Sequence, residues 1–150
     1  VAVLDLGRYA DPALVLRLDC QIDRPQVIAA LVDRICAAGG PDLDGFLAAI
    51  NHRELVATTA IGGGVAVPHA RILGLRRCRM AIAAIPSGAS WDAPDGKPVH
   101  LAVMLAVREE DHAEHLRLLA ALATRLRDAD RVRAVVAAES PTTALAALLA

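Results

Sequence analysis

The chain has 150 residues, 55% of them hydrophobic and 2% aromatic, with a formal net charge of −1. That length fits one domain, residues 1–150, burying about two-thirds of its unfolded surface in a core of small and aliphatic side chains. Near-neutral charge gives no electrostatic drive towards nucleic acid or an anionic membrane. No apolar run reaches the roughly 18–20 residues of a membrane span, and the opening VAVLDLGRYADP lacks the basic-then-apolar layout of a leader. Cys20, Cys36 and Cys78 are widely spaced without a CxxC, which supports neither a disulfide framework nor a thiolate zinc site. A soluble protein of the reducing cytoplasm, with no direct membrane insertion, is the expectation.

In chain order, Leu14–Leu18 reads as a short strand. Asp23 then caps a helix that Gln26 answers from its third position, and Val27, Ile28, Leu31, Val32 and Ile35 recur at helical spacing until Gly39-Gly40-Pro41 stops them. Leu43, Phe46, Leu47 and Ile50 mark a second helix ending near Arg53. Met80–Ile85 and Val99–Val107 are apolar runs of strand type, the second continuous enough for a central strand covered on both faces. Between them the turn signals Pro86-Ser87-Gly88 and Pro94-Asp95-Gly96 leave Trp91 on a loop. Asp111 and Glu114 match a capping box opening a helix with Leu116, Leu119, Leu122 and Leu126 on one face. Asp130–Glu139 and Thr142–Leu149, the latter started by Ser140-Pro141, complete the chain as helices. Interleaved strands and helices indicate an α/β fold whose central sheet is covered on both sides.

The stretch from Arg53 to His69, RELVATTAIGGGVAVPH, carries the chemistry. Pro68 fixes its own φ and pushes Val67 towards extended backbone, so the chain delivers His69 with little freedom. Gly62, Gly63 and Gly64 can adopt angles closed to other residues and turn their amides towards an anion. A near-neutral imidazole beside backbone donors and the Arg53 cation suits transfer of a phosphoryl group onto a ring nitrogen. Arg53 could hold two phosphoryl oxygens with its planar fork, or simply complement a helix C-terminus. Thr59 offers a hydroxyl to the phosphate or to the ring of His69, or caps a turn. His115, one turn into a helix, is kept mostly neutral by the positive end of the macrodipole and can donate one hydrogen bond.

Three segments bear a family resemblance. Arg53-Glu54, Thr58-Thr59 and Ile61-Gly62-x-Gly64-Val65-Ala66-Val67-Pro68-His69 resemble, without a gap, the active-site signature of the IIA domains of the bacterial phosphoenolpyruvate:sugar phosphotransferase system, type 2, in the fructose/mannitol/nitrogen-regulatory class. Trp91-Asp92-Ala93-x-Asp95-Gly96-x-Pro98-Val99 is similar to the family's aromatic-Asp-Ala…Pro-Val segment, and His115-Leu116…Leu119…Leu122 resembles its second-histidine helix. The resemblance implies a mixed sheet and a phosphohistidine carrier. In it His69 accepts the group from the histidine-containing phosphocarrier protein and passes it to a IIB domain, with His115 and Arg53 in support and Thr59, Gly62, Gly63 and Gly64 around the phosphate. It implies no cofactor and no metal. Ala70-Arg71 departs from the Gly-Lys of many relatives, leaving open a part for Arg71 in donor docking. The chain carries no IIB or membrane IIC portion, so it reads as a free-standing IIA protein or a piece of a larger polypeptide.

Two further readings compete with the carrier. One is a nitrogen-type regulatory module whose phosphorylation switches binding to partner proteins. The other is a metal-binding module through His69, His112 and His115. No GxxxxGK[ST] or GxSxG pattern occurs, so nucleotide-driven kinase and hydrolase chemistry lack their usual signatures. Trp91 either lines the rim of the site or plugs the edge of the core, and His100 is expected to be structural.

Overall fold

The computed structural model describes residues 4–150. Residues 1–3, the start of the opening segment VAVLDLGRYADP, lie outside the described residues. Seven strands form one mixed sheet: β1 (Val15–Arg17), β2 (Ile22–Asp23), β3 (Ala60–Gly62), β4 (Val65–Ala66), β5 (His69–Ile72), β6 (Arg79–Ser90) and β7 (Val99–Arg108). The long antiparallel pair β6–β7 is its spine. β1 and β2 run parallel to β6 along its free side, β4 and β5 run parallel to β7, and β3 closes antiparallel on β4. Five α-helices flank it: α1 (Arg24–Ala37), α2 (Leu43–Val56), α3 (His112–Leu126), α4 (Ala129–Ala137) and α5 (Pro141–Leu149). The mixed α/β architecture matches the expectation from the sequence.

Strand side chains alternate between two cores. Ala66, Ala70, Ala81, Ala83, Ala102 and Ala106 face α1 and α2, where Val27, Leu31, Phe46 and Ile50 pack. Val65, Val67, Ile82, Leu101, Val103 and Leu105 face α3–α5. Small residues on the first face admit close helix approach; the larger aliphatic residues of the second pack with Leu118, Leu122 and Leu148. This composition explains how a chain nearly devoid of aromatics closes both layers.

α1 forms as read, with Asp23 accepting from the Gln26 N–H at 3.0 Å and the Gln26 side chain accepting from the Asp23 N–H at 3.0 Å. Other local expectations need correcting. Pro86-Ser87-Gly88 does not end a strand; it is a bulge inside β6, where pairing jumps from Ala84↔Leu101 to Ala89↔Val99. His100 fills that bulge, with its Nδ1 3.1 Å from the Ile85 carbonyl oxygen and its ring against Gly88. The Asp111–Glu114 capping box does not form, because Arg108 pairs with Asp111 and the Tyr9 hydroxyl donates to Glu114. The buried stripe of α3 is His115, Leu118, Leu122 and Leu126, while Leu116 is 56% exposed. His115 therefore belongs to the packed face and is not a solvated helix start.

Candidate functional site

β5 begins where the extended Val67-Pro68 segment is pinned from both sides. The Val67 N–H donates to Thr59 O at 3.0 Å and Pro68 O accepts from the Leu105 N–H at 2.9 Å. Ala70 points into the α1/α2 core, so the alternation turns His69 to the α3 side, beside Val67. His69 Nδ1 lies 2.8 Å from the Val67 carbonyl oxygen. A carbonyl only accepts, so Nδ1 carries the proton and Nε2 keeps the free lone pair. Burial pushes the His69 pKa below its ordinary 6.5; the Val67 bond opposes this, Arg53 adds to it and Glu54 again opposes it.

His115 meets the edge of this ring, with centroids 5.2 Å apart and planes inclined by 66°. Among the described residues its Nε2 is buried without a hydrogen-bond partner. Such an orphaned group costs about 1–3 kcal/mol unless something satisfies it, and an oxygen arriving at the neighbouring ring would do so. Its pKa is pushed down to about 4, by burial first and then by the charges of His69, Arg71, His112 and Arg53. The neutrality expected from the helix dipole thus has packing as its main cause.

Arg53, in the last turn of α2, gives Nη1 to Ala57 O at 2.7 Å and still lowers the pKa of both histidines by its charge. The helix-terminal role and the proximity to the histidines are both present. Arg71 lies two residues beyond His69 on the same face of β5, with Nη1 3.1 Å from His112 Nδ1. A guanidinium cannot accept, so that nitrogen of His112 is the unprotonated one.

The structure does not bring the glycines to this cluster. Gly62, Gly63 and Gly64 turn the chain from β3 to β4 with φ of 88°, 65° and 79°. Gly64 O accepts from the His100 N–H, whereas His69 pairs with Leu105, five residues along β7. At about 3.3 Å per residue that is roughly 16 Å from the imidazole. The Gly63 N–H is also taken, donating to Asp95 Oδ2 at 2.9 Å. An acidic side chain occupies the amide that the sequence reading reserved for phosphate.

Thr59 is close but committed. Its hydroxyl donates to Glu54 Oε2 at 2.7 Å and its N–H to Glu54 Oε1 at 3.1 Å, while Trp91 Nε1 donates to Glu54 Oε1 at 2.7 Å. Buried Glu54, part of the Arg53-Glu54 signature, is a site residue to which the sequence assigns no role. Its signal was an acid four residues beyond Ile50 on the stripe Phe46–Ile50–Glu54. Nor do His69, His112 and His115 converge as a metal set; among the described residues the group that does is Cys78, Asp111 and Glu114.

Comparison with known proteins identifies the family. The family model "Phosphoenolpyruvate-dependent sugar phosphotransferase system, EIIA 2" matches residues 12–150. The chain is 35% identical over 142 residues to the PTS system fructose-specific EIIA component of Haloferax volcanii, covering 94% of this chain and 92% of that one. It is 36% identical over 129 residues to the PTS system 2-O-alpha-mannosyl-D-glycerate-specific EIIABC component of Escherichia coli, covering 83% of this chain but spanning only 20% of that polypeptide. Among solved structures, the nitrogen regulatory protein IIA-Ntr of Neisseria meningitidis superposes with a TM-score of 0.88 at 25% identity, covering 95% of this chain and 98% of that one. No helix is long and apolar enough to cross a membrane among the described residues. A fold with paired histidines at one end of a mixed sheet, matched by the family model over all but the first eleven residues, makes the chain a member of the type 2 EIIA family, the phosphoryl carriers of the phosphoenolpyruvate-dependent sugar phosphotransferase system.

Proposed function

We propose that His69 Nε2 accepts a phosphoryl group from the histidine-containing phosphocarrier protein and passes it to a IIB domain of a fructose/mannitol-type transporter, in the cytoplasm. The observation that carries the reading is the Nδ1–H bond from His69 to Val67 O, which leaves Nε2 as the free base. The lone pair of Nε2 attacks phosphorus as the bond from phosphorus to the donor nitrogen breaks, and that nitrogen keeps the electron pair. Nδ1 holds its proton throughout, so the phosphorylated ring is cationic and a good leaving group when the acceptor arrives. Arg53 and the orphaned His115 Nε2 are the groups suited to the phosphoryl oxygens. Such a transfer asks mainly for alignment and charge cancellation, which two imidazoles and a guanidinium can supply. Thr59 and the three glycines have no part in this scheme.

The IIB acceptor is supported by relatives: the Haloferax volcanii protein is fructose-specific, and a structure of similar fold is a complex of enzyme IIA mannitol with phosphorylated enzyme IIB mannitol from Escherichia coli, with a TM-score of 0.77. A regulatory role is the second reading, favoured by the IIA-Ntr superposition and by a nitrogen regulatory protein of Pseudomonas aeruginosa, 37% identical over 91 residues. Both readings need the same histidine. Incubation with phosphoenolpyruvate, enzyme I and the phosphocarrier protein should add one acid-labile phosphoryl group by intact mass, absent from His69→Ala. A wild-type chain without the adduct would sink both readings, while an adduct discharged rapidly by a IIB domain separates the carrier from the regulator.

A further inference from the structure

A second cluster of reactive side chains lies away from the histidine pair. Cys78 stands just before β6, Asp111 is the N-cap residue of α3 and Glu114 lies in its first turn. One donor atom from each, a sulfur and two carboxylate oxygens, lies within 4.8 Å of the other two. They line a cavity of about 390 Å³ with Arg8, Tyr9, Arg77 and Arg108. Cys78 is 7% exposed, so its sulfur is a buried donor in the cavity wall.

The carboxylates are only half used. Glu114 Oε1 accepts from the Tyr9 hydroxyl and Asp111 Oδ2 faces Arg108 Nε at 3.4 Å. The second oxygen of each takes no hydrogen bond among the described residues. Nor do the arginines crowd out a cation. Arg108 gives Nε and Nη2 to Glu110 at 3.0 and 2.7 Å, Arg8 lies over the Tyr9 ring 6.0 Å from its centroid, and Arg77 is exposed. Burial holds Cys78 as a thiol, opposed by a bond from the Arg108 backbone and reinforced by Glu114 and Asp111. A dication between the three groups inverts that effect, since the same carboxylates become co-ligands of the thiolate.

We infer that Cys78, Asp111 and Glu114 form a site for a thiophilic divalent cation of the zinc class, with water completing the coordination. Sulfur with two oxygens suits zinc or cadmium and is a poor set for magnesium or calcium. Binding replaces the S–H bond with a sulfur–metal bond and releases the proton to solvent. Because Glu114 adjoins His115, the bound cation ties the start of β6 to the turn that carries the second histidine. Sequence spacing could not show this, since the ligands are brought together by the antiparallel run of β6 and β7.

Cadmium titration of a Cys20→Ser/Cys36→Ser background, followed by ultraviolet thiolate-to-cadmium charge-transfer absorption, tests the site without reference to phosphoryl transfer. One equivalent should saturate the band, zinc should compete it away, and Cys78→Ser should abolish it. Asp111→Asn and Glu114→Gln, folded by circular dichroism, should each weaken binding about 10–100-fold and keep the test decisive if Cys78→Ser fails to fold. A cation held by the histidines gives no such band and does not count. Absence of the band in the background protein, or an affinity untouched by both carboxylate variants, overturns the site.

Discussion

His69 is specified by three constraints of different origin. Pro68 restricts the backbone, the strand alternation chooses the face, and the Val67 carbonyl chooses the tautomer. Burial lowers its pKa and Arg53 lowers it further. The ring therefore protonates only below the ordinary value of 6.5. A protonated Nε2 has no lone pair, so phosphoryl acceptance should fall as pH drops through that depressed value. Between the unfolded and folded values the unfolded chain binds more protons, so the same shift makes stability fall as pH drops through this window. Proton NMR titration of the His69 ring should give a midpoint below 6.5, and Arg53→Gln should raise it by removing a facing cation. A midpoint unmoved by that substitution would mean that the guanidinium does not act on the ring.

Glu54 shows how one side chain joins separate elements. From α2 it accepts from the backbone and hydroxyl of Thr59, just before β3, and from the indole of Trp91 in the β6–β7 connection. Glu54→Ala would strand three largely buried donors, each costing about 1–3 kcal/mol, so a total loss of roughly 3–5 kcal/mol is expected. Glu54→Gln keeps an oxygen for two of the donors while the Thr59 hydroxyl rotates to accept, and should cost about 1 kcal/mol. Urea unfolding followed by fluorescence of Trp91, the only tryptophan, reads both. Equal destabilisation by the two variants would refute the hydrogen-bonding role. The helices were legible because caps and apolar spacing are local: Asp23–Gln26, Ser140-Pro141 and the stripe through Ile35 all stand. What failed was decided by partners outside the segment itself. Arg108 and Tyr9 withdrew Asp111 and Glu114 from their cap, and His100 turned Pro86-Ser87-Gly88 into a bulge. Asp95, thirty-two residues on, took the Gly63 amide. Trp91 proved to be both an indole packed at the core edge and a donor to the buried carboxylate beside the site.

At the scale of the molecule, the alternation of helices and strands was readable from local patterns and Arg53 with His69 from one continuous signature, whereas His115 was tied to them only by the family resemblance. The surface that receives partners was not, since exposure depends on the whole packing. Leu55 and Val56, directly after Arg53-Glu54, are 82% and 71% exposed, and Leu116, directly after His115, is 56% exposed. These exposed apolar side chains, next in sequence to Arg53-Glu54 and to His115 on two different helices, are the candidate docking rim for the proposed donor. A carrier meets its partners briefly, so this rim should set encounter affinity without supporting the fold. Leu55→Asp combined with Leu116→Asp should raise the KM for the phosphorylated donor by about tenfold or more, equivalent to about 1.4 kcal/mol. Maximal transfer at saturating donor and the unfolding midpoint should stay close to wild type, because both side chains are mostly exposed. Transfer kinetics at varied donor concentration separate the two effects. An unchanged KM would place the docking surface elsewhere, and a fall in maximal rate at constant KM would assign these residues to alignment of the histidines and not to recognition.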